Sequence, residues 1–159
     1  MSDFDATITI RRASLDDLPA IIGMLADDPI GATREIVSTP PDDAYLRAFA
    51  DIDGDPFNEL VVAEDAGAVV GCLQLTLIPG MARTGMPRAQ IEAVRVALSH
   101  RDRGLGRHLF RWAIERARER GAGLVQLTTD KARPDAHRFY RSLGFAASHE
   151  GMKLMLRED

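Results

Sequence analysis

The sequence predicts an α/β fold, in which a mixed central β-sheet is flanked by helices, and three observations support this prediction. Strand patterns alternate with helical patterns at the start of the chain and again near its end. Two strand patterns joined by a short turn lie in the middle, which predicts an antiparallel hairpin within the same sheet. The length of 159 residues fits one domain, so we expect residues 1–159 to fold as a single unit.

The first half of the chain is predicted to contain three strands and two helices. Strands are indicated by alternation or by runs of β-branched residues, and helices by apolar residues at helical spacing. Proline and glycine mark the loop between the two helices. The predicted elements are a strand at 7–12, a helix capped by Ser14 and running through Leu25, a loop at 29–41, a short helix around Tyr45 to Phe49, and hairpin strands at 60–64 and 69–78.

The second half is dominated by one strong helical pattern. Leu105, Leu109, Trp112 and Ala113 fall on one stripe of this helix, and Gly121 follows its basic last turn. Pro134 suits the start of a further helix and Gly144 suits its end. The predicted elements are a strand at 90–98, the long helix at 104–120, a strand at 124–129, a helix at 134–144, and closing strands at 145–148 and 152–156.

Composition and charge argue against several classes of protein. The net charge of -4 lacks the basic excess that a phosphate-binding surface needs, so we expect no nucleic-acid partner. The start of the chain does not resemble a secretory signal. The longest apolar tract, 66–78, is too short to span a bilayer, so we expect no membrane association and a cytoplasmic location.

Cysteine and histidine content bears on redox and metal chemistry. Cys72 is the single cysteine, so it cannot form an intramolecular disulfide, and its apolar surroundings predict a buried, inert thiol. The four histidines are scattered without the spacing of a metal site, so no metal is predicted.

A glycine-containing turn at 101–106 precedes the long helix and is suited to bind a phosphate group. A helix N-terminus presents N–H groups and the positive end of a dipole, and Gly104 and Gly106 allow a ligand to approach the backbone closely. The Lys-Ser/Thr pair of a Walker loop is absent. Leu109 stands where the dinucleotide fingerprint needs a small residue, so a Rossmann loop is also excluded.

Two motifs in this order resemble the GNAT (GCN5-related) family of N-acetyltransferases. The turn at 101–106 matches the Arg-x-x-Gly-x-Gly pattern of that family's cofactor loop, and the tail at 136–145 is similar to its closing motif, a helical tyrosine followed by Leu-Gly-Phe. The resemblance extends over nearly the whole chain, including the opening strand and helix, the hairpin and the long helix. It implies the family's acyl-CoA N-acyltransferase fold, with splayed central strands.

The resemblance implies a binding site for acetyl-CoA as cosubstrate. Its pyrophosphate is expected on the backbone amides of Arg101, Asp102, Arg103, Gly104, Leu105, Gly106 and Arg107. Its pantetheine arm is expected to pair with the backbone of Val94, Arg95 and Val96, where a backbone N–H near Val94 would polarise the thioester carbonyl. The family's asparagine contact to pantetheine has no counterpart in the segment 128–134.

Two side chains are candidates for proton transfer. Tyr140 matches the family tyrosine whose hydroxyl protonates the departing thiolate, although its helical spacing with Phe139 and Leu143 also suits core packing. Glu92 is expected on the same strand face as Val94, where a buried carboxylate needs a partner or a task. It is therefore a candidate general base, and the alternative is a carboxylate salt-bridged to Arg95 or Arg88.

The resemblance therefore implies an N-acetyltransferase, which transfers the acetyl group of acetyl-CoA to a primary amine of a small molecule. The amine is expected to attack the thioester directly in a ternary complex. The alternatives are a non-catalytic module that senses coenzyme A, an enzyme using a longer acyl-CoA, and an enzyme acting on a protein amine. The resemblance also makes a homodimer plausible. The loop residues form no arrangement diagnostic of one acceptor.

Overall fold

The computed structural model describes residues 7–29, 31–130 and 134–157. Contacts within the chain divide it into two compact units, residues 1–126 and 127–159. The single domain over 1–159 stays a prediction.

The first unit contains a five-stranded mixed sheet, as the sequence predicts. Its strands lie in chain order, antiparallel from the first to the fourth, and the fifth runs parallel to the fourth. The hairpin turn has left-handed backbone at Ala66 and Gly67, with φ of 49° and 83°, which suits a two-residue hairpin connection. The strands are β1 (Ile8–Arg12), β2 (Asn58–Asp65), β3 (Ala68–Ile78), β4 (Arg88–Val96) and β5 (Leu124–Gln126).

The predicted helices of this unit are also present. The long helix has its apolar stripe against the sheet, and Gly121 follows it in left-handed conformation. A single turn with left-handed backbone at Arg83 and Thr84 connects β3 to β4. The helices are α1 (Leu18–Ala26), α2 (Asp43–Gly54), the short turn α3 (Ala82–Gly85) and α4 (Leu105–Glu119).

Helices cover both faces of the sheet. On one face, Leu105, Leu109 and Phe110 of α4 are almost completely buried, and a Cβ atom built on Gly71 would lie 3.1 Å from the Leu109 side chain. On the other face, Cys72 packs in a cluster with Ile21 of α1 and with residues of β2. Since neighbouring residues of a strand point to opposite faces, Gly71 and Cys72 mark the two layers.

A buried carboxylate joins α4 to the sheet. Glu59 of β2 is 8% exposed, and both of its oxygens accept hydrogen bonds from the Arg116 guanidinium, at 3.1 and 3.0 Å. Arg120 also donates to Glu59. This carboxylate raises the pKa of Arg116. Two arginines of the helix are therefore structural.

The second unit contains α5 (Pro134–Ser142), which the sequence predicts, but the predicted closing strands are wrong. Residues 145–157 form no strand, and Met152 and Leu154 are 94% and 84% exposed. The segment 145–156 contains no β-branched residue, so its strand tendency depended on apolar alternation alone. The strand predicted at 124–129 is also shorter, because regular pairing ends at Gln126.

Candidate active site

The strands β4 and β5 separate part of the way along the sheet. Their parallel pairing joins Arg88 to Leu124, Ala89 to Val125 and Gln90 to Gln126, and β5 ends there. β4 continues for six further residues, to Val96. Over this stretch β5 no longer covers the edge of β4, which confirms the predicted splayed strands and leaves an edge to which an extended ligand can be added.

A bulge in β4 lies at this opening. Ala93 has φ of 52°, and the register passes from Glu92 opposite Gln74 to Arg95 opposite Cys72, so β4 contains one extra residue. The Cys72 thiol donates to the Ala93 carbonyl at 3.4 Å. The extra residue shifts the alternation, and Glu92 shares its face with Arg95. The prediction that Glu92 shares a face with Val94 is therefore wrong.

The surroundings of Glu92 also differ from those predicted. Its side chain is exposed, and its Oε1 accepts a hydrogen bond from the Gln90 amide at 2.9 Å. Within the described part of the chain it forms no salt bridge with Arg88 or Arg95. The carboxylate is therefore exposed, and not buried as the sequence suggested. An exposed carboxylate is accessible to a ligand.

The turn before α4 has the shape that a phosphate site requires. Asp102 and Gly104 have left-handed backbone, with φ of 60° and 91°, and Gly104 is the N-cap residue. The first helical hydrogen bond runs from the His108 N–H to the Gly104 carbonyl at 3.1 Å. The N–H groups of Leu105 and Gly106 precede that bond, so they point out of the positive end of a helix of 15 residues.

Two salt bridges attach this region to the end of α1. The Arg101 guanidinium donates to the Asp27 carboxylate at 2.7 Å and to the Val96 carbonyl at 3.1 Å. Arg95 pairs with Asp28 at 3.3 Å and donates to the Val94 carbonyl at 2.9 Å. The Arg101 side chain thus fixes the turn to β4 and to the end of α1.

The two acidic partners were missed by the sequence analysis. Asp27 and Asp28 are separated from their arginines by 74 and 67 positions. No local pattern connects residues so far apart, and acidic residues after a helix are ordinarily read as solvated.

The thiol of Cys72 is excluded from the chemistry, as the sequence predicted. The residue is completely buried, and burial raises the pKa of the thiol to about 11. A thiol protonated at neutral pH and closed to solvent is not a nucleophile.

Tyr140 lies in the second unit, on α5. Its ring makes edge-to-face contacts with Phe139 and Phe145, with ring centroids 5.5 and 6.2 Å apart. The Phe145 N–H donates to the Tyr140 carbonyl at 3.1 Å, and Gly144 ends the helix with φ of 92°. The tyrosine of the closing motif is therefore half-buried among aromatic side chains.

His137 of α5 contacts the segment that precedes this helix. The His137 Nε2 contacts the Asp130 carbonyl at 3.3 Å. The segment that replaces the family's asparagine includes residues 131–133, which lie outside the described residues.

Two further observations concern the described residues only. In residues 7–29, 31–130 and 134–157, His, Cys, Asp and Glu form no group of three that could hold a metal ion. Across the same residues, every helix is too short or too polar to cross a membrane.

Comparison with known proteins identifies the family. The model of the acetyltransferase (GNAT) family matches residues 22–145. Streptothricin acetyltransferase of Streptomyces lavendulae is 34% identical over 121 residues, which are 72% of this chain and 62% of that protein. The chain therefore spans less than two thirds of that relative's length.

Two other similar proteins match over more of their length. Aminoalkylphosphonate N-acetyltransferase of Salmonella typhimurium (strain LT2) is 29% identical over 141 residues, 88% of this chain and 86% of that protein. A crystal structure named as a transcriptional regulator from Bacillus halodurans C-125 is 50% identical with a TM-score of 0.91, and the match covers 94% of this chain and 99% of that one. The family model spans most of the chain, including the turn before α4 and the closing motif, and the chain belongs to the GNAT family of acetyltransferases.

Proposed function

We propose that this protein transfers the acetyl group of acetyl-CoA to a primary amine of a small molecule. The observation that carries the proposal is the position of the turn at 101–106. It follows β4 at the end where that strand has left β5, and the Arg101 guanidinium ties it to the Val96 carbonyl at 3.1 Å. A ligand with a diphosphate and an extended arm fits this combination of helix end and open strand edge.

In this proposal the backbone N–H groups of the turn bind the coenzyme A diphosphate. The pantetheine arm pairs with the open edge of β4 at Val94, Arg95 and Val96, as an added strand would. The Val94 N–H then points at the thioester carbonyl oxygen and stabilises the negative charge that develops there. A preorganised donor of this kind contributes about 3 to 4 kcal/mol to a barrier.

Glu92 and Tyr140 are proposed to move the two protons of the reaction. An alkyl ammonium with a pKa of about 10.4 is almost fully protonated at neutral pH, so Glu92 takes a proton from the amine, directly or through water. The amine nitrogen forms a bond to the thioester carbon and releases its second proton to solvent, and the carbon–sulfur bond breaks; solvent afterwards returns a proton to the Tyr140 oxygen. The departing sulfur takes a proton from the Tyr140 hydroxyl, which gives the N-acetyl product and coenzyme A.

The names of the relatives support a small-molecule acceptor. Streptothricin and aminoalkylphosphonates are both small molecules, and the proteins named after them match most of this chain. The exposed position of Glu92 allows an acceptor to reach the carboxylate from solvent.

The proposal is tested by thiol release from acetyl-CoA in the presence of a panel of small amines. We expect Tyr140→Phe to lower kcat by roughly 100-fold or more while the affinity for acetyl-CoA stays nearly unchanged. Tyr45→Phe is the matched control, because Tyr45 donates to Glu35 at 2.6 Å and lies far along the chain from both motifs. If Tyr140→Phe retained full turnover on a true substrate, Tyr140 would have no part in the mechanism.

The 50% identical structure is named as a transcriptional regulator, so the rival function to test is a non-catalytic module that senses coenzyme A without turning it over. This rival predicts tight binding of acetyl-CoA and no thiol release with any amine of the panel. Thiol release that depends on both the amine and Tyr140 would exclude it.

A further inference from the structure

Two glutamine side chains form a row of hydrogen bonds that ends on Glu92. The Gln126 Nε2 donates to the Gln90 Oε1 at 2.8 Å, and the Gln90 Nε2 donates to the Glu92 Oε1 at 2.9 Å. Neither glutamine was singled out from the sequence. The row crosses from β5 to β4 and then runs along β4 toward the bulge.

The carboxylate sets the direction of the whole row. An ionised carboxylate only accepts hydrogen bonds, so Gln90 must turn its amide nitrogen toward Glu92. Its oxygen is then left to accept, and Gln126 must present its own nitrogen. Gln126 therefore holds Gln90 in the orientation that makes Gln90 a donor to Glu92.

The row lies at the position where the two strands separate. Gln90 and Gln126 are opposite each other in the last rung of the parallel pairing between β4 and β5. Beyond that rung β4 presents its open edge, and Glu92 is the second residue after it. A side-chain contact across this rung therefore ties the carboxylate to the rigid, paired part of the sheet.

One oxygen of Glu92 is used by this contact and the other is left available. Oε1 accepts from Gln90, whereas Oε2 makes no hydrogen bond with another described residue. The contact is selective, because Gln74 is the residue directly opposite Glu92 and yet donates to Asn58 at 3.1 Å.

We propose that Gln90 is a positioning residue, which holds Glu92 by Oε1 so that Oε2 faces the acceptor amine, and that Gln126 orients Gln90 for this task. The inference rests on the proposed function, in which Glu92 is the general base.

The test compares Gln90→Leu, Gln90→Glu and Gln74→Leu in steady-state kinetics as a function of pH. We expect Gln90→Leu to lower kcat by roughly 10-fold, with KM for acetyl-CoA nearly unchanged. We also expect the acidic limb of its pH–rate profile to move to higher pH, because the carboxylate loses a hydrogen-bond donor. Gln90→Glu places a like charge beside Glu92 and should move that limb further in the same direction.

Gln74→Leu is the matched control, since it removes an amide from the same sheet face whose hydrogen bond goes to Asn58 and not to Glu92. It should keep the wild-type pH profile. In Gln126→Leu, Gln90 is still present as the donor to Glu92, but Gln126 no longer orients it. We therefore expect a smaller loss of kcat than in Gln90→Leu. Thermal unfolding of each variant identifies any change that comes from weaker pairing of β4 and β5.

The outcomes separate this inference from the function on which it rests. If Glu92→Gln retained full activity, the proposed base would be wrong. If Glu92→Gln were slow while Gln90→Leu kept the wild-type kcat and pH profile, the positioning role would be overturned and the function would stand. Equal losses in the Gln90, Gln126 and Gln74 variants, with no change in pH profile, would also overturn it, because they would indicate a structural role only.

Discussion

Replacement of Gly104 by alanine separates the shape of the proposed phosphate turn from the stability of α4. Gly104 has φ of 91°, and a Cβ atom added there would meet nothing within 4 Å, so the cost is confined to the backbone conformation. An L-residue in the left-handed region costs about 1 to 2 kcal/mol, part of which is offset because alanine restricts the unfolded chain. We expect a net loss of about 1 kcal/mol in the free energy of unfolding, or roughly 2 to 4 °C in Tm.

The same substitution should weaken coenzyme A binding. If the turn relieves its strain by leaving the left-handed conformation, a smaller fraction of the protein molecules is competent to bind coenzyme A. A strain of about 1 to 2 kcal/mol then corresponds to roughly 5- to 30-fold weaker affinity. Isothermal titration calorimetry with coenzyme A measures this change. Gly121→Ala is a matched control at the other end of α4, since Gly121 has φ of 81° and equally open space.

Both variants should therefore lose similar stability, and only Gly104→Ala should lose affinity. Equal affinity in the two variants, at equal loss of stability, would refute the argument that the left-handed turn presents the amides to the ligand.

The remaining predictions concern the core and the stability of the fold. Asp17 is buried beside the Arg11 guanidinium, whose hydrogen bonds of 2.7 and 2.9 Å, together with donors from Ser14, lower the pKa of the carboxyl from 3.8 to about 2. Because the pKa is lower in the folded state, this stabilisation is present above about pH 4 and is lost as the pH falls toward 2. Since Arg11 is partly exposed, we expect the carboxylate to contribute about 1 to 2 kcal/mol to the free energy of unfolding. The free energies of unfolding of the wild type and of Asp17→Asn, measured in urea, should converge as the pH falls over that range. A difference between the two free energies that is independent of pH would contradict the assignment. Cys72 should resist a thiol reagent such as dithionitrobenzoate at pH 8 in the native protein and react fully after denaturation, whereas rapid native reaction would show that the strand is open to solvent.

Elements with a strong local signal could be predicted from the sequence. The stripe of apolar residues on α4, the hairpin around Gly67 and the helix stop at Gly144 are each set by neighbouring residues, and all three are present. The turn at 101–106 was found because two glycines precede a long helix, which is also a local pattern.

Features that depend on distant contacts could not be predicted. The bulge at Ala93 has no local signal in the sequence, because alanine seldom adopts positive φ. Ala93 does so here next to the Cys72 thiol, which lies on the neighbouring strand. That bulge decides which residues of β4 share a face with Glu92, so the expectation that Val94 shares it was wrong. The hydrogen bond between Gln90 and Gln126 joins residues 36 positions apart, and only the sheet register brings them together.

The central claim is that the backbone amides before α4 bind the diphosphate of coenzyme A. Its most direct test is a calorimetric titration of the wild-type protein with acetyl-CoA, coenzyme A and pantetheine, which lacks the diphosphate. The account predicts saturable binding of acetyl-CoA and coenzyme A and a large loss of affinity for pantetheine. Absence of binding by both coenzyme A and acetyl-CoA, or equal affinity for pantetheine, would contradict it.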